Sequence, residues 1–516
     1  MFSPLPTPKE MTEWDHVTIN EIGIRGEILM ENAGREAVSA LVADYGQIQG
    51  ERILIIAGSG NNGGDGFVMG RMLADMGADV LVLHTATKNK YKGDAGYYLK
   101  IAAKLGVELK YFKNIDEIAM FSADIIIDAL LGTGFEGELR PFAQSIVDEI
   151  NFSDSYVFSI DIPSGLNGVT GQPQPVAVQA DATITFEETK LGMAMPAAEM
   201  FTGQLFVAAI GIPSIVKDEF PAEHYVINNA VLAPLVSISP VMHKGTSGHV
   251  LLVGASKGLS GALHLAGISA LRAGAGLVTM ACPDGLASEV KGGKPELMTM
   301  GLGSGDQWND QMIAELLSEM DKYDSLVIGP GLGRDKGALD LIEAVVASNH
   351  PPAVYDADAL YALSKRPHIL KNIKENSILT PHPGEMARLI STSISEIESD
   401  RVGTAKNFAE KYGVLLTLKG AGTIIGCPDG SAAISPISAP NLAAAGSGDI
   451  LAGILGALLA KQLNPMQTAA TGVYWHGLAG KYLSEKFPYR GNIATEIADM
   501  LPQVLKEELC LKPKTS

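Results

Sequence analysis

The sequence predicts an α/β protein made of two unlike domains. The chain has 516 residues, which is too long for one hydrophobic core. β-Branched runs of strand length alternate with segments of helical spacing, and this alternation is typical of parallel sheets covered by helices. A stretch with two prolines and no clear period separates two such series. We therefore predict a first domain over 1–220, a linker over 221–240 and a second domain over 241–508.

Composition and charge restrict the possible partners. The formal net charge of −19 makes binding to nucleic acid or to an anionic membrane unfavourable, because both bind basic surfaces. The three cysteines, Cys282, Cys427 and Cys510, have neither metal-ligand nor disulfide-framework spacing. The N-terminus lacks a signal-peptide pattern, and the longest apolar run, Ile450 to Ala460, is too short to span a bilayer. We expect a cytoplasmic protein that forms a homo-oligomer.

The first series begins with a helical pattern over 12–46. A strand, RILIIAG, then leads through the loop SGNNGGDG into a helix, FVMGRMLADMG, and a strand, VLVLH. The sheet continues through DIIIDALLGTGF, the helix PFAQSIVDEI, YVFSIDIPSGLNG, and the strands ATITF and QLFVAAIGIP. Ligands of open α/β sheets bind at the carboxyl ends of the strands, so we expect the loops after these strands to share one pocket.

Oxygen-bearing side chains stand at three of the predicted strand ends. Asn62, Asp128 and Ser164 suit a hard monovalent or divalent cation, and Asp161 could act as an acid/base. The loop Gly60 to Gly66 has the context of a nucleotide-phosphate loop, between a strand and a helix. Two plainer interpretations stay open, because NNGG is also typical of a tight turn and single carboxylates commonly form turns.

The motifs GNNGGDG, DALLGTGF and DIPSGLNG resemble, in order and spacing, the epimerase domain of NAD(P)H-hydrate repair enzymes. The resemblance implies a Rossmann-like three-layer domain and a substrate of NADHX or NADPHX, which carry a hydroxyl on carbon 6 of the reduced nicotinamide. It also implies that Asp161 interconverts the R and S epimers and that Asn62, Asp128 and Ser164 bind potassium. The implied substrate-binding residues are Asn62, Gly63, Gly64, Asp65, Gly66, Gly132, Thr133, Gly134, Phe135, Glu136, Gly137, Glu138 and Asp161.

The second series runs from HVLLVGAS to VLLTLKGAGTII and leads into the stretch NLAAAGSGDILAG. There Gly446, Ser447 and Gly448 are expected to leave backbone N–H groups uncovered before a helix, which makes an anion site and predicts a phosphate ligand. Asp449 begins the apolar run of that helix. It is either a base for phosphoryl transfer or a helix cap.

Five motifs resemble, in order, the ribokinase-like dehydratase partner of the same repair system: GPGLG, DADAL, LTPHPGEM, LKGAGT and NLAAAGSGD. With the first domain, the chain resembles the bacterial bifunctional enzyme, whose dehydratase half uses ADP in place of ATP. The ADP chemistry in turn implies magnesium. The resemblance implies substrate contacts from Ala275, Gly333, His382 and Asp449. The predicted ADP contacts are Lys419, Gly420, Ala421, Gly422, Thr423, Ala445, Gly446, Ser447 and Gly448. Lys419 could neutralise phosphate charge or be a surface lysine in a turn, and the glycines beside it favour nucleotide binding. Ala444 departs from the family pattern, since many relatives have threonine there.

The implied chemistry is reasonable for these residue types. Hydroxide leaves poorly, so transfer of a phosphoryl group to the carbon 6 hydroxyl gives phosphate, which the ring nitrogen can expel. Asp449 would take the hydroxyl proton, and the amides of Ala445 to Gly448 would stabilise the transferring group. The predicted function is the repair of hydrated NADH and NADPH, with ADP converted to AMP and phosphate.

Two other functions stay open at this point. The GSGD loop would also serve a small-molecule kinase of the hydroxyethylthiazole or pyridoxal type, but TPHPGE and the fused first domain speak against it. Domains similar to the first also occur as non-enzymatic modules in RNA-decapping scaffolds. The complete NNGGDG loop, Asp161 and the acidic charge disfavour that alternative.

Overall fold

The computed structural model describes residues 1–236, 243–488 and 490–510. It contains two compact units. The first unit comprises Pro4–Tyr225, and the second comprises Met1–Ser3 together with Val226–Ser516. The segment 221–240, predicted as a linker, holds a strand at His224–Ile227 and a 3₁₀ helix at Asn229–Val236, while its residues 237–240 lie outside the described residues. Among the described residues, no helix has the length and apolarity needed to cross a bilayer.

The strands are numbered in chain order. They are β1 Phe2–Pro4, β2 Arg52–Ala57, β3 Asp79–His84, β4 Glu108–Tyr111, β5 Ile125–Ala129, β6 Tyr156–Ile160, β7 Ala182–Phe186, β8 Gln204–Ala208, β9 His224–Ile227, β10 His249–Val253, β11 Leu277–Pro283, β12 Met298–Leu302, β13 Ser325–Ile328, β14 Ala353–Tyr355, β15 Ile378–Leu379, β16 Leu415–Leu418, β17 Ile424–Gly426 and β18 Ala432–Ile434.

The α-helices are numbered in the same way. They are α1 Pro8–Val17, α2 Gly26–Tyr45, α3 Asn61–Asp75, α4 Gly93–Lys104, α5 Asp116–Phe121, α6 Pro141–Phe152, α7 Glu199–Thr202, α8 Ser214–Glu219, α9 Ser260–Arg272, α10 Ala287–Lys291, α11 Asp310–Glu319, α12 Lys336–Ala347, α13 Asp358–Lys365, α14 Pro383–Ile390, α15 Ile394–Ser399, α16 Arg401–Tyr412, α17 Ser447–Ala460, α18 Pro465–Lys486 and α19 Ala494–Cys510.

The sheet of the first unit has seven parallel strands in the order β4-β3-β2-β5-β6-β7-β8. Alternate residues of β2 enter opposite cores: Ile53 and Ile55 pack into one, and Leu54 and Ile56 into the other. Both faces of the sheet are therefore covered, which makes the predicted three-layer arrangement. The strand order reverses between β2 and β5, and ligands of doubly wound sheets bind at such a point.

The second sheet has eleven strands in the order β1-β9-β18-β17-β16-β15-β14-β13-β10-β11-β12. The strands from β12 across to β16 are parallel, and β16, β17 and β18 are antiparallel. Because β13, β14, β15 and β16 are parallel, the loops that follow them meet at one edge of the sheet. Helix α17 is buried continuously from Ile450 to Ala460. The predicted α/β fold class is confirmed.

The two glycine-rich loops predicted from the sequence are shorter in the structure, because the helices that follow them, α3 and α17, begin earlier than expected. Helix α3 starts at Asn61, so most of GNNGGDG forms its first turns. Glycine is required there for packing, since a Cβ on Gly63 would lie 2.0 Å from the carbonyl oxygen of Gly58. Helix α17 starts at Ser447, whose N–H donates to the carbonyl oxygen of Ala444 at 3.2 Å and is not uncovered.

Candidate active sites

The first unit has a cavity of about 850 Å³ at the carboxyl edge of its sheet. The amino end of α3 and the loop after β5 form much of its wall, beside the strand-order reversal. Eight of the residues implied to bind NAD(P)HX line this cavity: Asn62, Gly132, Thr133, Gly134, Phe135, Glu136, Glu138 and Asp161. The structure therefore brings together most of the predicted epimerase site.

Asp161 follows β6 and is held in an unusual conformation. Its φ of +66° is rare for a residue with a side chain, and such strained backbone is concentrated at functional sites. Its Oδ1 accepts from Lys190 Nζ at 2.7 Å, and its Oδ2 accepts from the N–H of Thr133 at 3.3 Å. Lys190 also donates to Thr185 Oγ1 and to the carbonyl oxygen of Phe186. This network fixes the carboxylate at the cavity wall.

Lys190 is the main feature of this site that the sequence motifs missed. Its side chain is 1% exposed, which is exceptional for lysine and requires a paired charge. The only signal in the sequence is a lysine close behind the buried strand ATITF. The ion pair joins residues 29 positions apart, and only the parallel pairing of β6 with β7 brings them together.

The three residues implied to bind potassium meet around the backbone of Leu131. Ser164 donates to Asp128 through Oγ at 2.6 Å and through its N–H at 2.8 Å. Asn62 Nδ2 donates to the carbonyl oxygen of Leu131 at 2.7 Å. The Oδ1 of Asn62 is buried and has no hydrogen-bond partner among the described residues. A buried oxygen without a donor, beside a hydroxyl and a carboxyl group, fits a hard cation.

Four other residues of the predicted motif pack inside the unit. A Cβ on Gly64 would lie 2.6 Å from the sulfur of Met30, and one on Gly66 would lie 2.8 Å from the Cβ of Ala129. Gly63 and Asp65 are also buried in α3. Burial and the charge of Asp161 raise the pKa of Asp65 well above its ordinary value. Neither these four residues nor Gly137 are among the described residues that line the cavity.

The second unit has a cavity of about 560 Å³ at the carboxyl edge of its parallel strands. The predicted residues that line it are His382, Lys419, Gly420, Ala421, Thr423, Ser447 and Gly448, together with Ala444. Four further predicted residues are next in sequence to residues that line the cavity: Gly422, Ala445, Gly446 and Asp449. The predicted nucleotide-binding segments therefore surround one space.

Lys419 is the charged centre of this site. Its Nζ lies 2.7 Å from Asp356 Oδ1 and 3.9 Å from Glu385 Oε2. A Cβ on Gly448 would lie 3.2 Å from the same Nζ, so the lysine reaches the first turn of α17. Burial lowers the pKa of Lys419, but the charges of Asp356 and Glu385 raise it by more, and the group remains an ammonium. The motif DADAL does not by itself indicate that Asp356 pairs with Lys419.

Asp449 lies in the first turn of α17, close to the same charges. Burial is the largest cause that raises its pKa to about 7, and the charge of Asp356 adds to this effect while Lys419 opposes it. A carboxyl group that titrates near neutrality is suited to proton transfer. The carboxylates of Glu385 and Asp358 also raise the pKa of Asp449, so these groups share one neighbourhood.

Two of the other predicted substrate contacts lie at the same edge of the sheet. The N–H of Gly333 donates to Asp358 Oδ2 at 3.0 Å. His382 caps α14, where its Nδ1 accepts from the N–H of Gly384 at 3.0 Å and Glu385 completes the capping box. Burial lowers the pKa of His382, so the ring is neutral at pH 7.

Ala275 is an exception, because the structure does not bring it to the cavity. It precedes the amino end of β11, donates its N–H to the carbonyl oxygen of Ala270 at 3.0 Å, and packs into the hydrophobic core. The other predicted residues of this site lie at the carboxyl ends of the strands. In the sequence, the small residues of the segment RAGAG do not indicate whether Ala275 lies at the amino or the carboxyl edge of the sheet.

Arg401 and His476 are further residues near this cavity that the motifs did not identify. Arg401 donates to the carbonyl oxygens of Ala421 at 2.7 Å and Lys419 at 3.3 Å, and so holds the turn that carries the predicted ADP contacts. His476 lines the cavity, and its Nε2 lies 3.2 Å from Ser447 Oγ. Burial lowers the pKa of His476 to about 4, which keeps this ring neutral.

The geometry of Arg401 leads to a prediction. In Arg401→Lys, one ammonium cannot bridge the carbonyl groups that the guanidinium joins, so the turn at Lys419 to Thr423 loosens. We expect the KM for ADP to rise about tenfold, or about 1.4 kcal/mol, with a smaller change in kcat. Arg272→Lys is the control, since Arg272 has a 48% exposed side chain. An unchanged KM in Arg401→Lys would rule out this positioning role.

Comparison with known proteins identifies both halves of the chain. A family model described as NAD(P)H-hydrate dehydratase matches residues 250–503, and one described as YjeF-related protein N-terminus matches residues 26–192. The chain is 38% identical to the bifunctional NAD(P)H-hydrate repair enzyme of Moorella thermoacetica, over 97% of this chain and 96% of that protein. It is 33% identical to the enzyme of the same name from Escherichia coli, over 93% and 90% of the two chains.

Among solved structures, an ADP/ATP-dependent NAD(P)H-hydrate dehydratase from Bacillus subtilis covers 54% of this chain and 96% of its own, with 27% identity and a TM-score of 0.46. The full-length relatives confirm the resemblance that the ordered motifs predicted for both domains. The chain belongs to the family of bifunctional NAD(P)H-hydrate repair enzymes.

Proposed function

We propose that the chain repairs hydrated NADH and NADPH through two active sites, one in each unit. The observation that carries the proposal is that each unit places one functional carboxyl group, Asp161 or Asp449, beside a cavity at the carboxyl edge of its own sheet. The first site interconverts R- and S-NAD(P)HX. The second dehydrates the S form and converts ADP to AMP and phosphate.

In the epimerase site, the amino end of α3 faces the cavity and favours the diphosphate of the substrate. Gly132 to Glu138 and Asn62 contact the substrate, and Asp161 exchanges a proton with the carbon 6 hydroxyl. Lys190 holds Asp161 in place for this exchange. Gly63, Gly64 and Gly66 support this wall by allowing α3 to pack closely against its neighbours, and Asp65 is buried in the same helix.

We assign potassium to the oxygens of Asn62, Asp128 and Ser164, because the unpartnered Oδ1 of Asn62 fits a cation. A bound potassium ion would supply positive charge near the substrate phosphates. The residues themselves link α3 to the ends of β5 and β6 through the bonds around Leu131.

This assignment predicts a potassium-dependent epimerase. Asn62→Ala should raise the potassium concentration for half-maximal epimerisation at least about tenfold, since a ligand is lost. Epimerisation is measured in tetramethylammonium buffers with added potassium. Asn89→Ala, which changes an exposed asparagine of the same unit, should match the wild type. An identical potassium dependence for Asn62→Ala would contradict the assignment.

In the dehydratase site, Asp449 takes the proton of the carbon 6 hydroxyl as the phosphoryl group is transferred. The amino end of α17, with Ala445 to Gly448, stabilises the negative charge of the transferring group. Lys419 and the turn Gly420 to Thr423 bind ADP, while His382 and Gly333 contact the nicotinamide substrate.

ADP chemistry also calls for magnesium, which neutralises phosphate charge. Among the described residues, no group of three or more His, Cys, Asp or Glu side chains is suited to a metal ion. Magnesium would be bound together with ADP and would neutralise the charge of its phosphates. Asp356 and Glu385 are the nearest candidates for protein ligands, since both lie next to Lys419.

Absorbance of reduced nicotinamide tests the proposed function. A mixture of R- and S-NADHX with ADP and magnesium should return completely to NADH, faster than spontaneous epimerisation allows. Recovery that stops at the S fraction would remove the epimerase from the proposal. No recovery, together with a stable phosphoester product, would favour the small-molecule kinase instead.

The expected cytoplasmic location and homo-oligomeric state belong to the same proposal. Fractionation of cells tests the location. Light scattering after size-exclusion chromatography tests the assembly, with a mass above 54.3 kDa expected. A mass equal to that of one chain would contradict the oligomer.

A further inference from the structure

A second carboxyl group, Asp15, lines the epimerase cavity together with Thr12 and His16 of the same helix, α1. The opposite face of α1 is anchored by buried apolar residues, and Trp14 Nε1 donates to the carbonyl oxygen of Phe220 at 2.7 Å. The helix is therefore held so that this polar face lines the cavity. The matching family model covers residues 26–192, and Asp15 lies before that range.

The surroundings of Asp15 differ from those of Asp161. Asp161 forms an ion pair with Lys190, whereas no hydrogen bond or ion pair reaches the carboxyl group of Asp15 from the described residues. Burial raises the pKa of Asp15 to about 6, the charge of Asp161 adds to this effect, Lys190 opposes it and Glu187 adds a small contribution. The buried carboxyl group of Asp65 also interacts with Asp15.

Asp15 and Asp161 line one cavity in different environments, since only Asp161 is paired with a lysine, and two such carboxyl groups are typical of an acid and base pair. The ammonium of Lys190 lies against Asp161, whereas burial raises the pKa of Asp15 to about 6 and so favours its protonated form. An epimerase for NAD(P)HX needs such a pair, because a bond to carbon 6 must break and re-form on the other face of the ring. This inference rests on the proposed epimerase function.

We propose that Asp15 is the second catalytic carboxyl group of the epimerase and works with Asp161 as its proton-donating partner. Asp161 takes the proton of the carbon 6 hydroxyl, and the O–H electrons form a carbonyl group. The bond between carbon 6 and the ring nitrogen breaks, its electron pair goes to nitrogen, and Asp15 protonates that nitrogen. The step produces an open-chain aldehyde and leaves Asp161 protonated and Asp15 ionised.

Ring closure reverses these transfers on the other face of the carbonyl group. After rotation about the bond between carbons 5 and 6, the nitrogen attacks carbon 6 and returns its proton to Asp15. Asp161 returns its proton to the oxygen. Both carboxyl groups recover their starting states, and no oxidant, reductant or additional reactant is needed.

The test uses the full chain with R-NADHX, and chromatography measures the epimers without ADP present. Asp15→Asn should lower kcat for epimerisation at least about 100-fold, as expected for loss of a general acid, with little change in KM. Asp15→Glu should recover a large part of the rate, because it restores the carboxyl group. Glu13→Gln is the matched control, since Glu13 is exposed on the same helix and loses the same charge.

The dehydratase of the same chain provides a folding control. NADH formation from pure S-NADHX and ADP should be equal in the wild type and in Asp15→Asn. Full epimerase activity in Asp15→Asn, or a loss that Asp15→Glu does not reverse, would overturn the role of Asp15 alone. A wild-type rate no faster than spontaneous epimerisation would instead overturn the proposed epimerase function and this inference together.

Discussion

Replacement of Asp449 by asparagine is expected to lower kcat for the dehydration of S-NADHX about 1,000-fold, the middle of the range for loss of a general base. Asparagine has nearly the same shape but cannot accept the hydroxyl proton. Because the base must be ionised and burial raises the pKa of Asp449 to about 7, the wild-type rate should rise as the pH increases through 7. The residual activity of the variant should lack this rise.

The same substitution should increase stability at high pH. The pKa of Asp449 is about 7 in the folded chain, against an ordinary value of 3.8, so the folded state binds the proton more tightly than the unfolded state. Ionised Asp449 therefore destabilises the fold, and the penalty develops between pH 4 and 7 and is complete above 7. Asparagine avoids it, so Asp449→Asn should have a higher Tm than the wild type at pH 8.

Calorimetry at pH 8 and kinetics with ADP check both effects of Asp449→Asn. The control is Asp321→Asn, since Asp321 is exposed in the same unit. It should change neither the rate nor the Tm. Dehydration at the wild-type rate in Asp449→Asn would show that Asp449 takes no part in proton transfer.

Sequence patterns predicted the features of the fold that depend on local chemistry. Strand and helix periodicity indicated two α/β domains, because buried parallel strands require continuous apolar runs. Functional side chains at strand ends, such as Asp161 and Lys419, could be selected since the carboxyl ends of parallel strands converge. Asp449 stood out because a carboxylate next to an anion site is costly unless it has a function.

Features that depend on tertiary contacts could not be predicted in this way. The pairing of Lys190 with Asp161 requires β6 and β7 to be neighbours, and the position of Asp15 requires α1 to lie over the cavity. The resemblance alone implies a substrate contact from Ala275, which precedes the amino end of its strand. It also implies ligand contacts from the glycines of α3, and the pattern does not indicate that neighbouring residues fill the space beside Gly63, Gly64 and Gly66.

Asp161→Asn should have an equally large effect in the other unit. We expect kcat for epimerisation of R-NADHX to fall about 1,000-fold, because the amide cannot take up the hydroxyl proton. Dehydration of pure S-NADHX should be unchanged. Asp154→Asn is the matched control, since Asp154 is exposed on the same unit. Epimerisation at the wild-type rate in Asp161→Asn would contradict the proton-transfer role.

The ion pair with Lys190 allows catalytic and structural effects of Asp161 to be separated. Asp161→Asn leaves the buried ammonium of Lys190 without its counter-charge, which should lower the Tm. The double variant Asp161→Asn with Lys190→Met removes that unpaired charge and should regain most of the lost stability. If Asp161 only supplied the counter-charge of Lys190, the double variant, which needs no counter-charge, would also regain epimerase activity. If Asp161 exchanges the proton itself, the double variant is stable and remains inactive, and this is the result that we expect.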